Sequence, residues 1–181
     1  VWPRFDALLG DFLRETGVRV FCAISAYDAA KGVIMKKLLV CLDGSQKQTD
    51  VLTAAIAVAR RSGARLVLFR SVGLPVELPS VAYSMAMEDV PKLLQREAET
   101  ALDELAKSVP PELYAGLRVS VGVPWPSIER AANEEDVDMI IIGSHGYHGL
   151  DRILGTTAAK VVNHADRSVL VVRDAERLTR V

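Results

Sequence analysis

Cysteine is scarce in this 181-residue sequence: Cys22 and Cys41 stand alone, without a Cys-x-x-Cys spacing. Two such residues cannot form a disulfide framework, and they give no sign of an oxidising compartment. Cys41 lies in an apolar, strand-like run, where a cysteine behaves as a small buried hydrophobe. An excess of charge of one sign is also lacking, since 22 Lys+Arg against 23 Asp+Glu leave a net charge of −1. A general electrostatic grip on nucleic acid, which needs clustered positive charge, is therefore not expected. No apolar run reaches the roughly 18 residues of a membrane helix. The N-terminus has no basic stretch followed by an apolar core and a small-residue cleavage site. No membrane partner is expected, and the expected compartment is the cytoplasm. What the chain does have is apolar mass: half its residues are hydrophobic and 25% are charged. That is the balance of a soluble globular protein with a core, about one domain plus a remainder in length.

The remainder is at the front. Trp2, Phe5, Leu8, Leu9, Phe12 and Leu13 recur at helical spacing, so residues 4–15 are expected to form an amphipathic helix that Gly17 stops. Residues 18–24 then have the look of a short strand. Met35 stands just before a strong apolar strand. The sequence is accordingly divided into an N-terminal extension, residues 1–34, and a domain, residues 35–181. Met35 as the natural start is one reading of that boundary; a genuine docking segment is the other.

From residue 36 onward strand and helix patterns alternate. Leu38–Leu42 is a continuous apolar run, as expected of a strand buried on both faces of a parallel sheet. A helix over 46–62 follows, with Leu52, Ala55, Ile56 and Ala59 on one face and Gly63 as its stop. Arg65–Val72 is a second strand, and a proline-containing connection leads to a helix over 90–107. Leu117–Val121 is a third strand, and Pro126 opens a helix that runs to Glu134. Val137–Ile142, a helix over Thr157–His164 and a last strand, Ser168–Arg173, complete the pattern. Five strands separated by four helices predict an α/β fold, a doubly wound parallel sheet with helices on both faces.

Ligands of open α/β sheets bind beyond the carboxyl ends of the strands, where strand order reverses. The residues just after each strand therefore matter most: Asp43-Gly44-Ser45, Val72-Gly73, Gly122-Val123-Pro124, and the segment from Gly143 to Thr157. That last segment holds Gly143, Gly146, Gly149 and Gly155 between a buried strand and a helix. Glycine permits close approach of backbone to a ligand, and a helix N-terminus offers N–H groups and a positive dipole end to an anion. Thr156 and Thr157 add hydroxyls. The arrangement suits a phosphate chain; a glycine-rich surface turn with Thr156 as an ordinary N-cap is the competing reading. No lysine follows Gly155, so this is not a Walker A loop, and it does not match the Gly-x-Gly-x-x-Gly dinucleotide pattern. Asp43, by the same even-handed reading, is either a ligand contact or a cap for the helix that follows.

No catalytic constellation emerges. His145 and His148 lack a third metal ligand at a standard spacing, and Ser45 and Ser144 have no identifiable paired base. His164 falls near a helix C-terminus, where the dipole accounts for it. Any hydrolysis of a bound phosphate ligand is expected to be slow and incidental, or dependent on a partner.

Three segments, MKKLLVCLDGS at 35–45, GVPWPSIERAANEEDVDMIIIGSHG at 122–146 and LGTTAAKVVNHADRSVLVVR at 154–173, resemble the universal stress protein family. The resemblance spans residues 36–175 and implies a Rossmann-like five-stranded parallel sheet in the order 3-2-1-4-5. It also implies a choice between ATP-binding and non-binding branches. The binding branch has the pattern G-x2-G-x9-G-[ST]; here Gly143, Gly146, Gly155 and Thr156 match, but eight residues rather than nine separate Gly146 from Gly155. By resemblance, Gly143 lies near a ribose, and Gly146, Gly155, Thr156 and Thr157 lie along the phosphates. Asp43 lies near ribose or adenine, and Val72 meets adenine through its backbone. The implied ligand is ATP, or AMP, with Mg²⁺ carried on the phosphates. The last strand, apolar and at the sheet edge, is expected to pair with a second copy, giving a homodimer through Ser168–Arg173; the alternative is that residues 18–24 add a strand or otherwise cover an edge. The leading expectation is thus a dimeric, ATP-responsive stress-response module whose output is either conformational or passed to an unidentified protein partner. A non-binding interaction dimer is the alternative, and an enzyme that consumes adenine nucleotide is a third reading.

Overall fold

The computed structural model describes residues 19–23, 35–73, 89–144 and 155–173. Six strands form one sheet: β1 (Arg19–Ala23), β2 (Lys37–Cys41), β3 (Arg65–Val72), β4 (Tyr114–Val121), β5 (Met139–Gly143) and β6 (Ser168–Arg173). Four α-helices accompany them among the described residues: α1 (Gln48–Ser62), α2 (Val90–Ala106), α3 (Pro124–Glu134) and α4 (Thr156–His164). The sheet order is β1-β6-β5-β2-β3-β4. Strands β2 to β6 are all parallel to their neighbours, and counted alone they run 3-2-1-4-5, the expected doubly wound topology.

The uninterrupted apolar runs are explained by burial on two faces. Side chains alternate across a strand, so Leu38 and Val40 of β2 join Leu66, Leu68, Met139, Ile141 and Leu170 in one core under α1 and α2. Leu39 joins Val67, Phe69, Ile140, Val169 and Val171 in the other, under α3 and α4. Leu38, Leu39 and Val40 are each fully excluded from solvent, worth about 1.5–3 kcal/mol per side chain. A polar face anywhere on β2 is incompatible with this arrangement.

Several boundaries move from their expected places for local reasons. Helix α3 begins at Pro124, two residues early, because both Pro124 and Pro126 fit a first turn whose N–H groups need no intrahelical acceptor. Strand β4 begins at Tyr114, fed directly by a 3₁₀ turn over Pro111–Leu113. Strand β5 starts at Met139 because the Val137 N–H donates to the Ala132 carbonyl (3.1 Å) at the end of α3. Gly63 ends α1 as expected, at φ +74°, its N–H donating to the Ala59 carbonyl (2.9 Å).

Polar side chains tie the amino ends of the strands. Asp138 Oδ2 accepts from the Lys36 and Lys37 backbone N–H groups at 2.6 and 2.9 Å, fixing the entry of β2 beside that of β5. Arg167 donates to the Ala132 and Val137 carbonyls at 2.8 and 2.9 Å and to Asn133 Oδ1, closing the turn after α3.

The sixth strand changes the expected edge. Strand β1 pairs antiparallel with β6 over its whole length, from Arg19 opposite Arg173 to Ala23 opposite Val169. The homodimer expected through Ser168–Arg173 thus meets an edge already filled by residues of the same chain. The physical reason is that an apolar edge strand with free backbone groups pairs with whatever strand is within reach. Residues 19–23 lie within the short strand expected over 18–24, whereas the helix expected over 4–15 lies outside the described residues.

Candidate functional site

The carboxyl ends of β2 and β5 lie side by side where the winding of the sheet reverses, and a cleft of about 420 Å³ opens there. Its size is within the usual range for small-ligand pockets. Phe69 of β3, Ile142 of β5, Val51 of α1 and Ile128 of α3 supply apolar walls. The polar rim comes from Asp43 after β2, Ser71 of β3, and Thr156 and Thr157 at the start of α4. Gly143 and Gly155 complete the stretch between β5 and α4.

Five of the seven expected ligand residues, Asp43, Gly143, Gly155, Thr156 and Thr157, therefore line one cleft. Their positions follow from the fold. Gly155, not Thr156, is the N-cap residue of α4, and as a glycine it brings no capping side chain. The first turn of α4 contains no acidic residue either. Its dipole and leading N–H groups thus face the cleft with no carboxylate of the turn to neutralise them.

Asp43 is exposed and holds a tight turn, its Oδ1 accepting the Ser45 N–H at 3.0 Å. Helix α1 starts five residues further on with Lys47 at its N-cap position, so Asp43 does not cap it. Gly44 between them has φ +81° and lies beneath the Arg70 guanidinium. Its N–H donates to Gln48 Oε1 at 3.1 Å.

Val72 is placed differently from expectation. It does not line the cleft; its carbonyl accepts the Gly122 N–H at 2.9 Å, and its side chain packs on Val90 and Leu94. The neighbouring Ser71 occupies the wall instead, with Oγ donating to the Gly122 carbonyl at 3.2 Å. The alternation of β3 contains this signal, because Ser71 shares a face with Phe69 and Val67 while Val72 does not. Gly146, with His145, His148 and Gly149, lies outside the described residues.

Nucleophilic chemistry finds little support in the lining. Cys41 borders the cleft, yet burial pushes its thiol far above the ordinary range, so it stays protonated and unreactive. His164 is exposed at the opposite end of α4, its ring 5.3 Å from that of Trp125. Among the described residues no group of three His, Cys, Asp or Glu side chains is placed to hold a metal ion. No helix among them is long and apolar enough to cross a membrane.

The model of the universal stress protein family matches residues 35–173. This chain belongs to the universal stress protein family. Universal stress protein A homolog 1 of Coxiella burnetii is 31% identical over 144 residues, 76% of this chain and 95% of that protein. Universal stress protein Sll1388 of Synechocystis is 28% identical, over 76% of this chain and 97% of its own length. Among solved structures, the hypothetical protein MJ0577 superposes with a TM-score of 0.64 at 27% identity, covering 78% of this chain and 98% of that one. Universal stress protein UspA from Lactobacillus plantarum superposes with a TM-score of 0.60 at 25% identity, covering 77% and 98%. A universal stress protein solved in complex with cAMP shares the fold at 22% identity and a TM-score of 0.50. The family and its Rossmann-like five-stranded core are thus established for this chain, which is a universal stress protein module with one strand added.

Proposed function

We propose that this universal stress protein binds an adenine nucleotide, ATP or AMP, in the cleft between the carboxyl ends of β2 and β5. The observation that carries the reading is the N-terminus of α4, with glycine at its N-cap position and no acid in its first turn, at a cleft that Asp43 and Gly143 also line. The residues fit the ligand by chemistry. Phe69, Ile142 and Ile128 offer apolar surface to a base. The Asp43 carboxylate suits sugar hydroxyls, and the α4 N–H groups with the Thr156 and Thr157 hydroxyls suit phosphates. Mg²⁺ arrives on the nucleotide, leaning on phosphate and water rather than on a protein cage. That a protein of the same fold is described in complex with cAMP supports an adenine-containing ligand.

Calorimetric titration of Mg²⁺-ATP, and separately AMP, into the full chain tests this, with Gly155→Val as control. Saturable binding lost in the variant is expected. A folded, nucleotide-free protein that takes up neither ligand overturns the reading. It would favour instead a non-binding interaction module, which the eight-residue spacing between Gly146 and Gly155 suits.

A further inference from the structure

The two long sides of this sheet are protected by different means. At one side β4 is outermost, and its own sequence spoils it for pairing: Arg118 lies mid-strand, and the ladder with β3 shifts register between Leu66 and Val67. A charge and an irregularity are recognised ways to blunt an edge. At the other side β6 has no such device. Ser168 to Val172 are all buried, and the first charge is the terminal Arg173. Strand β1 covers this side, and β1 is itself only five residues long, which limits what can add to it in turn.

We infer that Arg19–Ala23 is an intramolecular cap that withholds the β6 edge from strand-to-strand pairing with a second copy of the chain. A second copy is the natural occupant of an uncovered β6. Two identical antiparallel strands related by a twofold axis form a self-complementary contact, in which each supplies the backbone groups the other needs.

The connectivity makes capping in cis easy. Because β1 runs antiparallel, Ala23 lies opposite Val169, at the end of the sheet where β2 begins. Residues 24–36 join the two strands. They need to cross three inter-strand spacings, about 14 Å, and a chain of that length reaches about 43 Å. No exchange of strands between copies is needed. The inference concerns the sheet edge and does not depend on what the cleft binds.

Two measurements on the full chain test it. Val20→Pro with Phe21→Pro places one proline on an inward-facing amide whichever residue of the pair faces β6, and so removes a ladder donor from β1. Sedimentation equilibrium should give the monomer mass for the unaltered chain at every concentration, and a mass that doubles with concentration for the variant. A variant that keeps its circular dichroism and cooperative melting yet stays monomeric overturns the inference, as does an unaltered chain that is already dimeric and indifferent to the prolines. Should the prolines unfold the protein, Arg19→Cys with Arg173→Cys decides the matter. Directly opposed residues lie within disulfide reach. Oxidation should join these two within one chain, leaving the non-reducing mass monomeric. Covalent dimers through this pair, or no disulfide between them, overturn the inference.

Discussion

Replacing Gly44 by alanine tests whether the turn after β2 is held in place as the structure indicates. Gly44 has φ +81°, a backbone conformation that costs an L-residue about 1–2 kcal/mol. A Cβ there also falls 2.8 Å from Cζ of Arg70, so the guanidinium must withdraw. Gly63 provides an internal standard, since it has φ +74° with nothing within 4 Å of an added Cβ. Gly63→Ala should therefore cost the backbone part alone, about 1 kcal/mol. Gly44→Ala should cost about 1–2 kcal/mol, most of it backbone, since the Arg70 guanidinium is the far end of a flexible side chain and can withdraw cheaply, with a fall in Tm of about 2–8 °C for a chain of this size. Adding Arg70→Ala to Gly44→Ala should remove the steric part, so the combined cost falls below the sum of the two single changes. Urea denaturation of the four variants measures all of this. A cost at Gly44 well below that at Gly63, or Gly44→Ala and Arg70→Ala together costing more than their sum, would refute the described contact. The same series reads function: because Asp43 precedes Gly44, Gly44→Ala should weaken nucleotide binding while Gly63→Ala leaves it alone.

Arg167→Ala should lower stability by about 1–3 kcal/mol, because it takes the guanidinium donor from the Val137 carbonyl and a second bond from the Ala132 carbonyl, which keeps the Val137 N–H. Arg167→Lys should recover only part of this, a single ammonium being unable to reproduce the fork, and thermal melting of both variants checks the order. The Arg118 guanidinium, bonded to Glu135 at 2.6 Å, together with Lys37 Nζ at 3.5 Å, holds the Glu135 carboxyl below the ordinary carboxylate range, partly opposed by burial. A carboxyl lowered in the folded state stabilises above its unfolded pKa, and that contribution is lost as pH falls through the folded value. Glu135→Gln should thus be less stable than the unaltered chain at neutral pH, by less than about 1 kcal/mol since Arg118 is half exposed, and the gap should close in acid. A gap that widens on acidification contradicts the assignment.

The sheet was legible because each core strand is buried on two faces, and a run such as Leu38–Leu42 has no other ready explanation. Boundaries were less so where backbone geometry rather than hydrophobicity decides them. Tyr114-Ala115-Gly116 carries no apolar run, yet it joins β4 through the ladder with β3. The start of α3 depended on which of two prolines opens the turn. In the cleft, positions immediately after strands were readable from topology, which is why Asp43, Gly143 and the Gly155–Thr157 stretch were found. Ser71 was missed because the side facing the cleft is set by alternation within β3, not by nearness to its end. The filling of the β6 edge depends on pairing between residues about 150 positions apart in sequence, which no local pattern encodes; the strand-like residues 18–24 made a covered edge one of two expectations but could not decide it against a homodimer.

In the proposed function a nucleotide's phosphates meet the first turn of α4, in the cleft beside Asp43 and Gly143. Backbone amide shifts recorded by NMR during titration of the full chain with Mg²⁺-ATP test it most directly. The largest saturable changes are predicted at Gly155, Thr156, Thr157 and Ala158, with Gly143 moving alongside. Shifts that stay at baseline there at saturating nucleotide, or that gather elsewhere on the protein, contradict it.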